Sequence, residues 1–170
     1  PKGLFAYGTA ATGDKTRPWG TFQHVATGQN GDFASSDPAD KLIELSMAPK
    51  TGYLANARWL MNRSVLLKIR QFKDGTTDQY LLQPGIQAGT PPTLLGYPIS
   101  LDENVPTLGT GSLSLAFGDF RRAYMVVDRL GMTLLRDPYT DKPRIGLYFR
   151  RRVGGSARDY DAVKFMKFGS

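Results

Sequence analysis

The sequence contains no cysteine and only one histidine, His24, among its 170 residues. Without cysteine, disulfides and thiol chemistry are excluded. A catalytic triad would have only His24 to draw on, and a zinc site would lack thiolate ligands. His24 also has no acidic neighbour at ligand spacing. We therefore expect an ordinary surface or strand histidine rather than a general base.

Long hydrophobic runs are missing as well. No run approaches the ~20 apolar residues needed to cross a bilayer, and no signal peptide opens the chain. We therefore expect a soluble, intracellular protein with no membrane partner. Glycine-rich phosphate loops, Walker loops and Gly-x-Ser-x-Gly elbows are absent from the sequence. The sequence predicts neither an enzyme nor a cofactor or metal site.

Glycine and proline are abundant. The chain has 19 glycines, 11 prolines and 41% hydrophobic residues. This composition is typical of many short strands joined by turns rather than of a helical bundle. The length fits one domain, or one domain with a small appendage.

Positive charge is concentrated near the end of the chain. Residues 111–170 hold twelve Lys or Arg against six Asp, within a formal net charge of +7. The densest groups are Arg121-Arg122 and Arg150-Arg151-Arg152. On a strand, Arg150 and Arg152 would share a face that suits phosphate groups. Arginine also forms fixed ion pairs across protein interfaces, and a further possibility is that acids elsewhere in a longer polypeptide compensate the charge.

Two stretches predict amphipathic helices. In the first, Asp37 is expected as N-cap and Pro38 as the first helical residue, and the helix ends near Ala48 before a proline. In the second, Asn62 or Ser64 caps the helix. The apolar positions of the second helix repeat at helical spacing: Val65, Leu66, Ile69 and Phe72.

Other apolar segments predict strands, at residues 21–26, 57–62, 79–82, 94–101, 144–153 and 160–168. Pro98 indicates an edge strand, because proline cannot donate to a neighbour. Alternation along 144–153 indicates one buried face, and Gly154-Gly155 would end that strand. We expect Trp59 to pack in the core. Residues 83–93 form the longest turn-rich insert.

A hairpin is predicted in the stretch around which the chain is organised. Apolar runs at 123–127 and 132–135 flank Asp128-Arg129-Leu130-Gly131, a Gly-containing segment of turn length. Gly118-Asp119 indicates another turn before the first run. Asp137-Pro138 would stop the second run.

The residues around this hairpin carry a family resemblance. They occur in the order Gly118-Asp119-Phe120, Tyr124, Val126, Asp128-Arg129, Gly131 and Arg136-Asp137-Pro138-Tyr139. Further blocks fit in the same order, at Pro1–Phe5, 59–82, 94–101 and 152–164. This pattern resembles the C-terminal half of tailed-phage major capsid proteins with the Hong Kong 97 fold. The resemblance implies an α+β fold, with a mixed or antiparallel sheet and two or three short helices.

The resemblance also implies a division of the subunit. Residues 1–143 would form mainly an axial-type domain, and residues 144–170 would return the chain to the peripheral-type domain. Because the chain opens with Pro1-Lys2-Gly3 and no initiator Met, we expect a fragment without the N-terminal arm, the extended loop and the spine helix.

The function implied by the resemblance is structural. Such a subunit assembles with copies of itself into pentamers and hexamers of an icosahedral shell, in the bacterial host cytoplasm, and ends in the virion capsid. Scaffolding protein, a maturation protease and non-specifically enclosed DNA are the further partners implied. Axis contacts would come from the turn-rich insert, and ion pairs between capsomers would come from the basic strand at 144–153. The interface candidates are Gly85, Ile86, Gln87, Pro91, Pro92, Arg150, Arg151 and Arg152. The alternative is a basic, β-rich nucleic-acid-binding module using residues 121–122 and 150–152.

Overall fold

The computed structural model describes residues 2–35, 37–73 and 93–169. Within these residues the fold is α+β, with a seven-stranded mixed sheet, a separate two-stranded ribbon and four α-helices. No helix among them is long and apolar enough to span a membrane. In chain order the elements are a 3-10 helix Leu4–Ala6, β1 Thr9–Ala10, β2 Phe22–Ala26, α1 Pro38–Met47, α2 Thr51–Leu54, β3 Arg58–Met61, α3 Arg63–Arg70, β4 Thr93–Leu94, β5 Tyr97–Leu101, β6 Leu113–Gly118, α4 Phe120–Ala123, β7 Tyr124–Asp137, β8 Gly146–Ala157 and β9 Val163–Lys167.

The seven-stranded sheet brings the two ends of the chain together. Its strand order is β1-β2-β9-β6-β3-β5-β4. β9 pairs parallel with β2 and antiparallel with β6. β3 pairs antiparallel with β6 and parallel with β5. The last strand therefore lies near the centre of the sheet and connects the N-terminal strands to the rest.

Alternating side chains divide the core between the two faces of this sheet. Trp59 and Phe117 belong to the cluster that packs against helices α1 and α3. Ala116 and Phe165, which point the other way, belong to the cluster that includes Phe22. The Trp59 ring is fully buried 4.4 Å from the Phe117 ring, and its indole nitrogen donates to the Leu94 carbonyl. The prediction that Trp59 packs in the core is confirmed.

Both predicted amphipathic helices are present, but only one has a side-chain capping hydrogen bond. α3 begins after Asn62, whose side chain accepts a hydrogen bond from the Ser64 backbone N–H at 3.0 Å. α1 begins at Pro38 as expected, yet Asp37 makes no side-chain cap hydrogen bond and has φ of 48°. Asp37 therefore occupies the N-cap position as predicted, but in the left-handed conformation, and its side chain does not supply the capping hydrogen bond.

The strand predictions hold for β2, β3 and β9 to within a few residues. The segment 94–101 divides into β4 and β5, and β5 is flanked on both sides rather than lying at the edge. Pro98 has no N–H to donate, and it precedes Ile99, the first residue of β5 that pairs with β3; its partner on β4 is Thr93. The predicted strand at 79–82 lies outside the described residues.

The predicted hairpin turn at residues 128–131 was wrong. β7 runs without a break from Tyr124 to Asp137 and pairs antiparallel with β8. The chain reverses between the two strands, after Asp137. Two register shifts, between Asp128 and Leu130 and between Leu130 and Thr133, absorb the extra residues within the strand.

β8 also differs from its prediction. It continues through Gly154-Gly155 to Ala157 instead of ending at Val153. Its pattern of exposure shows no buried face, because every residue from Leu147 to Gly154 is exposed. The apolar alternation was correct as a strand pattern, but no layer of the described protein covers either side.

Candidate interface surfaces

The β7–β8 ribbon exposes apolar side chains on both faces. Directly paired residues share a face of the ribbon, so the register defines two sets. Face A, which contains Arg150 and Arg152, carries the exposed apolar residues Met125, Val127, Leu130, Leu135 and Tyr148. Face B, which contains Arg151 and Asp128, carries Val126, Leu134, Leu147, Phe149 and Val153.

The root of the ribbon is fixed to the body of the protein. The Tyr124 hydroxyl donates to the Lys2 carbonyl at 2.8 Å, and the Tyr7 hydroxyl accepts from the Ala157 N–H at 2.9 Å. The Arg158 N–H donates to the Ala123 carbonyl at 2.8 Å. These contacts lie at the start of β7 and the end of β8. The ribbon is therefore held at its root while the rest of its length is exposed.

The three consecutive arginines of β8 do not act alike. Arg151 pairs with Asp128 across the ribbon, Nη2 to Oδ2 at 2.6 Å, and this pair raises the pKa of the Arg151 guanidinium. Arg150 and Arg152 lie together on the other face, as the sequence predicted, and have no ion-pair partner within the described residues. Arg152 and Arg129 line one shallow concavity of the ribbon. Arg150 and Arg152 are thus available to a partner, whereas Arg151 is engaged within the chain.

The other predicted site residues fall in two places. Gly85, Ile86, Gln87, Pro91 and Pro92 lie outside the described residues. Arg121 and Arg122 are on α4 beside the root of the ribbon, where Arg122 donates to the Gly52 carbonyl and lies 5.7 Å from the Tyr53 ring. The structure therefore does not join the two basic groups into one stripe.

A compact charge cluster connects three separated segments. The Asp14 carboxylate lies 2.6 Å from the Arg17 guanidinium and also contacts the Lys164 ammonium. Lys164 is fully buried on β9. Asp161 accepts from Arg17 at 2.5 Å and from Lys50 at 2.6 Å. The cluster holds the loop between β1 and β2 against β9 and against the start of α2. Sequence analysis missed it, because its members are far apart in the chain and no pattern relates them.

Burial and pairing act in opposite directions on these groups. Burial lowers the pKa of Lys164, and its hydrogen bond with Asp14 opposes that effect. Burial acts to raise the pKa of Asp161, but hydrogen bonds from Lys50 and Arg17 bring it below its usual range. The Lys50 pKa is raised by its hydrogen bond with Asp161. These directions describe a cluster held by ion pairs, with two carboxylates among three cations.

His24 lies on β2, consistent with the strand histidine that was expected. Its Nδ1 atom is buried without a hydrogen-bond partner, and burial lowers the pKa of the imidazole. Over the described ranges, no group of three His, Cys, Asp or Glu residues is arranged to hold a metal ion.

Residues 3–168 match the model of the phage capsid family. Among solved structures, the capsid of an empty GTA particle, computed with C5 symmetry, is 34% identical with a TM-score of 0.86. The capsid of the native GTA particle, also computed with C5 symmetry, is 34% identical with a TM-score of 0.80. A chain of Mycobacterium phage Patience, 20% identical over 86% of this chain and 46% of its own, has a TM-score of 0.51 and shows the fold alone. No curated protein matches.

The two GTA capsid chains are longer than this one. The chain is covered over 100% and 94% of its length and spans 57% and 58% of theirs. The predicted Hong Kong 97-like α+β fold is confirmed by these matches, and the family and its fold are structural rather than enzymatic. Because the family model matches almost the whole length of this chain, the chain belongs to the phage capsid family.

Proposed function

We propose that the chain is part of a structural subunit of an icosahedral phage-type capsid, which assembles with its own copies into pentamers and hexamers around DNA. Assembly would take place in the bacterial host cytoplasm, and the product would be the virion shell. Family membership supports this proposal, as does the C5 symmetry with which the similar GTA capsids were computed. The single observation that carries it is the exposed β7–β8 ribbon.

The physical argument concerns what such a ribbon needs. A two-stranded ribbon alone is marginally stable in water, and a soluble monomer rarely leaves a long apolar surface uncovered. Here the apolar residues lie on both faces, and Phe149 of face B is 65% exposed. Covering them in a shell removes apolar area from water at each of many repeated contacts. The ribbon is therefore best explained as a surface that assembly buries.

The proposal assigns the predicted interface residues to two kinds of contact. Face A offers Arg150 and Arg152 to carboxylates of a neighbouring subunit, because neither is paired within the described residues. Residues 85–92 would supply the axis contacts, as the resemblance implies. The division into an axial-type domain at 1–143 and a peripheral-type return at 144–170 is retained in the proposal. Scaffolding protein and a maturation protease are proposed as transient partners.

Negative-stain electron microscopy of the product of the whole reading frame tests the proposal. We expect closed particles or capsomer rings. Leu134 and Phe149 are paired on face B, and changing both to Asp should abolish particles while circular dichroism shows a folded protein. Leu67→Asp, at an exposed site on α3, is the matched control and should assemble normally. A monodisperse small species over a range of salt and protein concentration would contradict the proposal.

A second candidate function is nucleic-acid binding by the basic ribbon. The observation that favours it is the group of exposed arginines without carboxylate partners in the described structure, Arg129, Arg150 and Arg152. Binding to duplex DNA would be strongest at low salt, and its salt slope should fall by ~0.9 for each phosphate contact removed. Arg150→Ala with Arg152→Ala should reduce the slope, whereas Arg70→Ala on α3 should not. Absence of binding at ~50 mM salt would eliminate this function.

A further inference from the structure

One tryptophan of the chain is almost completely exposed. The Trp19 side chain is 95% exposed, whereas Trp59 is fully buried. Tryptophan is the residue type most enriched at energetic centres of protein interfaces, because it buries a large area for few rotatable bonds. Trp19 is therefore a candidate for a contact with another molecule.

The loop that presents Trp19 is held in one conformation. The Arg17 N–H donates to the Gly13 carbonyl at 3.0 Å, and the Thr21 hydroxyl donates to the Pro18 carbonyl at 2.6 Å. The Arg17 side chain is fixed by carboxylates on two sides, Asp14 and Asp161. The exposed indole is thus carried on a pre-organised support, which lowers the entropy cost of binding.

A cleft lies beside the exposed indole. Its volume is about 230 Å³, and Trp19 forms part of its rim. Arg17, Arg158 and Tyr160 also line it, together with the carboxylate residues Asp14, Asp159 and Asp161. Guanidinium groups stack on indole faces, and a tyrosine ring can meet an indole edge-on, as Tyr160 already meets Trp19 with ring centroids 6.1 Å apart. The exposed Arg158 and the Tyr160 ring therefore offer two surfaces on which a second aromatic ring can pack, whereas Arg17 is engaged by Asp14 and Asp161.

We propose that Trp19 is an interface anchor that enters the cleft beside Arg17, Arg158 and Tyr160 of a neighbouring copy of this chain. Because the anchor and the cleft lie side by side on one surface, two copies related by a two-fold axis can each fill the other's cleft. The inference rests on the proposed shell function, since that function supplies the neighbouring copy. It adds a specific contact, distinct from the ribbon.

Tryptophan fluorescence of the whole polypeptide tests this contact. The spectrum of the wild-type protein minus that of Trp19→Phe isolates the emission of Trp19 even if the polypeptide contains further tryptophans. In dissociated subunits this difference should be red-shifted and quenched by iodide, because the ring is exposed. In assembled particles it should shift to the blue and be protected from iodide.

Variants give an independent measurement of the same contact. Trp19→Ala and Arg158→Ala should each raise the concentration needed for assembly by about tenfold or more. The double variant should cost less than the two single effects combined, because both remove one contact. Lys15→Ala, in the same loop and exposed, is the matched control and should leave assembly unchanged.

The outcomes separate the two proposals. If particles form but Trp19 emission stays red-shifted and open to iodide, the anchor is wrong and the shell function stands. If Trp19→Ala assembles at the wild-type concentration, the anchor is likewise wrong. If the wild-type polypeptide forms no particles under any condition, both proposals fail.

Discussion

At Gly118, adding a single methyl group should strongly destabilise the folded protein. Its φ is +144°, and a Cβ there would lie 2.1 Å from the Ala162 carbonyl oxygen and 2.8 Å from the Val163 Cα. Gly118→Ala must therefore move β9 away from β6 at the centre of the sheet. We expect a loss of more than about 2 kcal/mol in the free energy of unfolding, measured in urea.

Gly13→Ala is the control for that substitution. Apart from Gly13 itself and its two chain neighbours, no residue has an atom within 4 Å of the position that its Cβ would occupy. It should change the free energy of unfolding only slightly. Equal effects of the two substitutions would show that the close approach of β9 to Gly118 is not a real constraint.

Asp161 should make stability depend on acid pH. Burial opposes its charge, but hydrogen bonds from Lys50 and Arg17 outweigh it, so its pKa in the folded protein is below the ordinary value of ~3.9. A carboxyl whose pKa is lowered on folding stabilises the protein above its unfolded pKa, and that stabilisation is lost as pH falls through the folded pKa. We expect Asp161→Asn to be less stable than wild type at pH 7.

The pH series supplies its own check on Asp161. The difference between wild type and Asp161→Asn should shrink below about pH 4 and disappear once the carboxyl is protonated in both states. Urea unfolding at several pH values measures it. A difference that is constant from pH 7 to strongly acidic pH would mean that the substitution acts through packing rather than through charge.

At the scale of elements, the Asp14–Lys164 pair joins the β1–β2 loop to the central sheet. Lys164 is fully buried on β9, so Asp14→Ala would leave a buried ammonium without its closest carboxylate. We expect a loss of about 3–5 kcal/mol in the free energy of unfolding. Lys164→Met leaves Asp14 with Arg17 and should cost less, since a flexible apolar chain of similar length replaces the ammonium.

The double variant decides whether this is one interaction. Asp14→Ala with Lys164→Met should be more stable than Asp14→Ala alone, because no unpaired charge remains buried. Urea unfolding of the wild type, the two single variants and the double variant completes the double-mutant cycle. Strictly additive losses would show that the two side chains do not stabilise each other.

Elements with a local cause could be predicted from the sequence, and those with a distant cause could not. α3 follows from its own cap and apolar stripe, and it forms where expected. The turn at 128–131 was predicted because a Gly-containing segment of turn length separates two apolar runs, yet Gly131 does not adopt a positive φ. Eleven paired positions between β7 and β8, with two register shifts, override that local preference. The Asp14 cluster and the Trp19 cleft depend on contacts across the fold, which no local pattern records.

At the scale of the molecule, periodicity predicts a strand but not what covers it. Alternation along 144–153 predicts one buried face, as is usual for a strand in a folded domain. The ribbon departs from this rule because neither face is covered within the described chain. Side chains that look like core in the sequence are exposed on the ribbon, and under the proposed function they form a surface for assembly.

The ribbon should accordingly be separable from the core. Val126 and Gly155 are directly paired, so residues 127–154 can be replaced by Asn-Gly, which forms a tight two-residue hairpin turn. Both core clusters consist of residues outside the deleted segment. We expect the free energy of unfolding to change by no more than ~1 kcal/mol, because an isolated two-stranded ribbon is itself marginal. The shortened whole polypeptide should fail to form particles. If instead the core lost its cooperative thermal transition, the ribbon would be part of the folding unit, and its exposed residues could not be assigned to assembly alone.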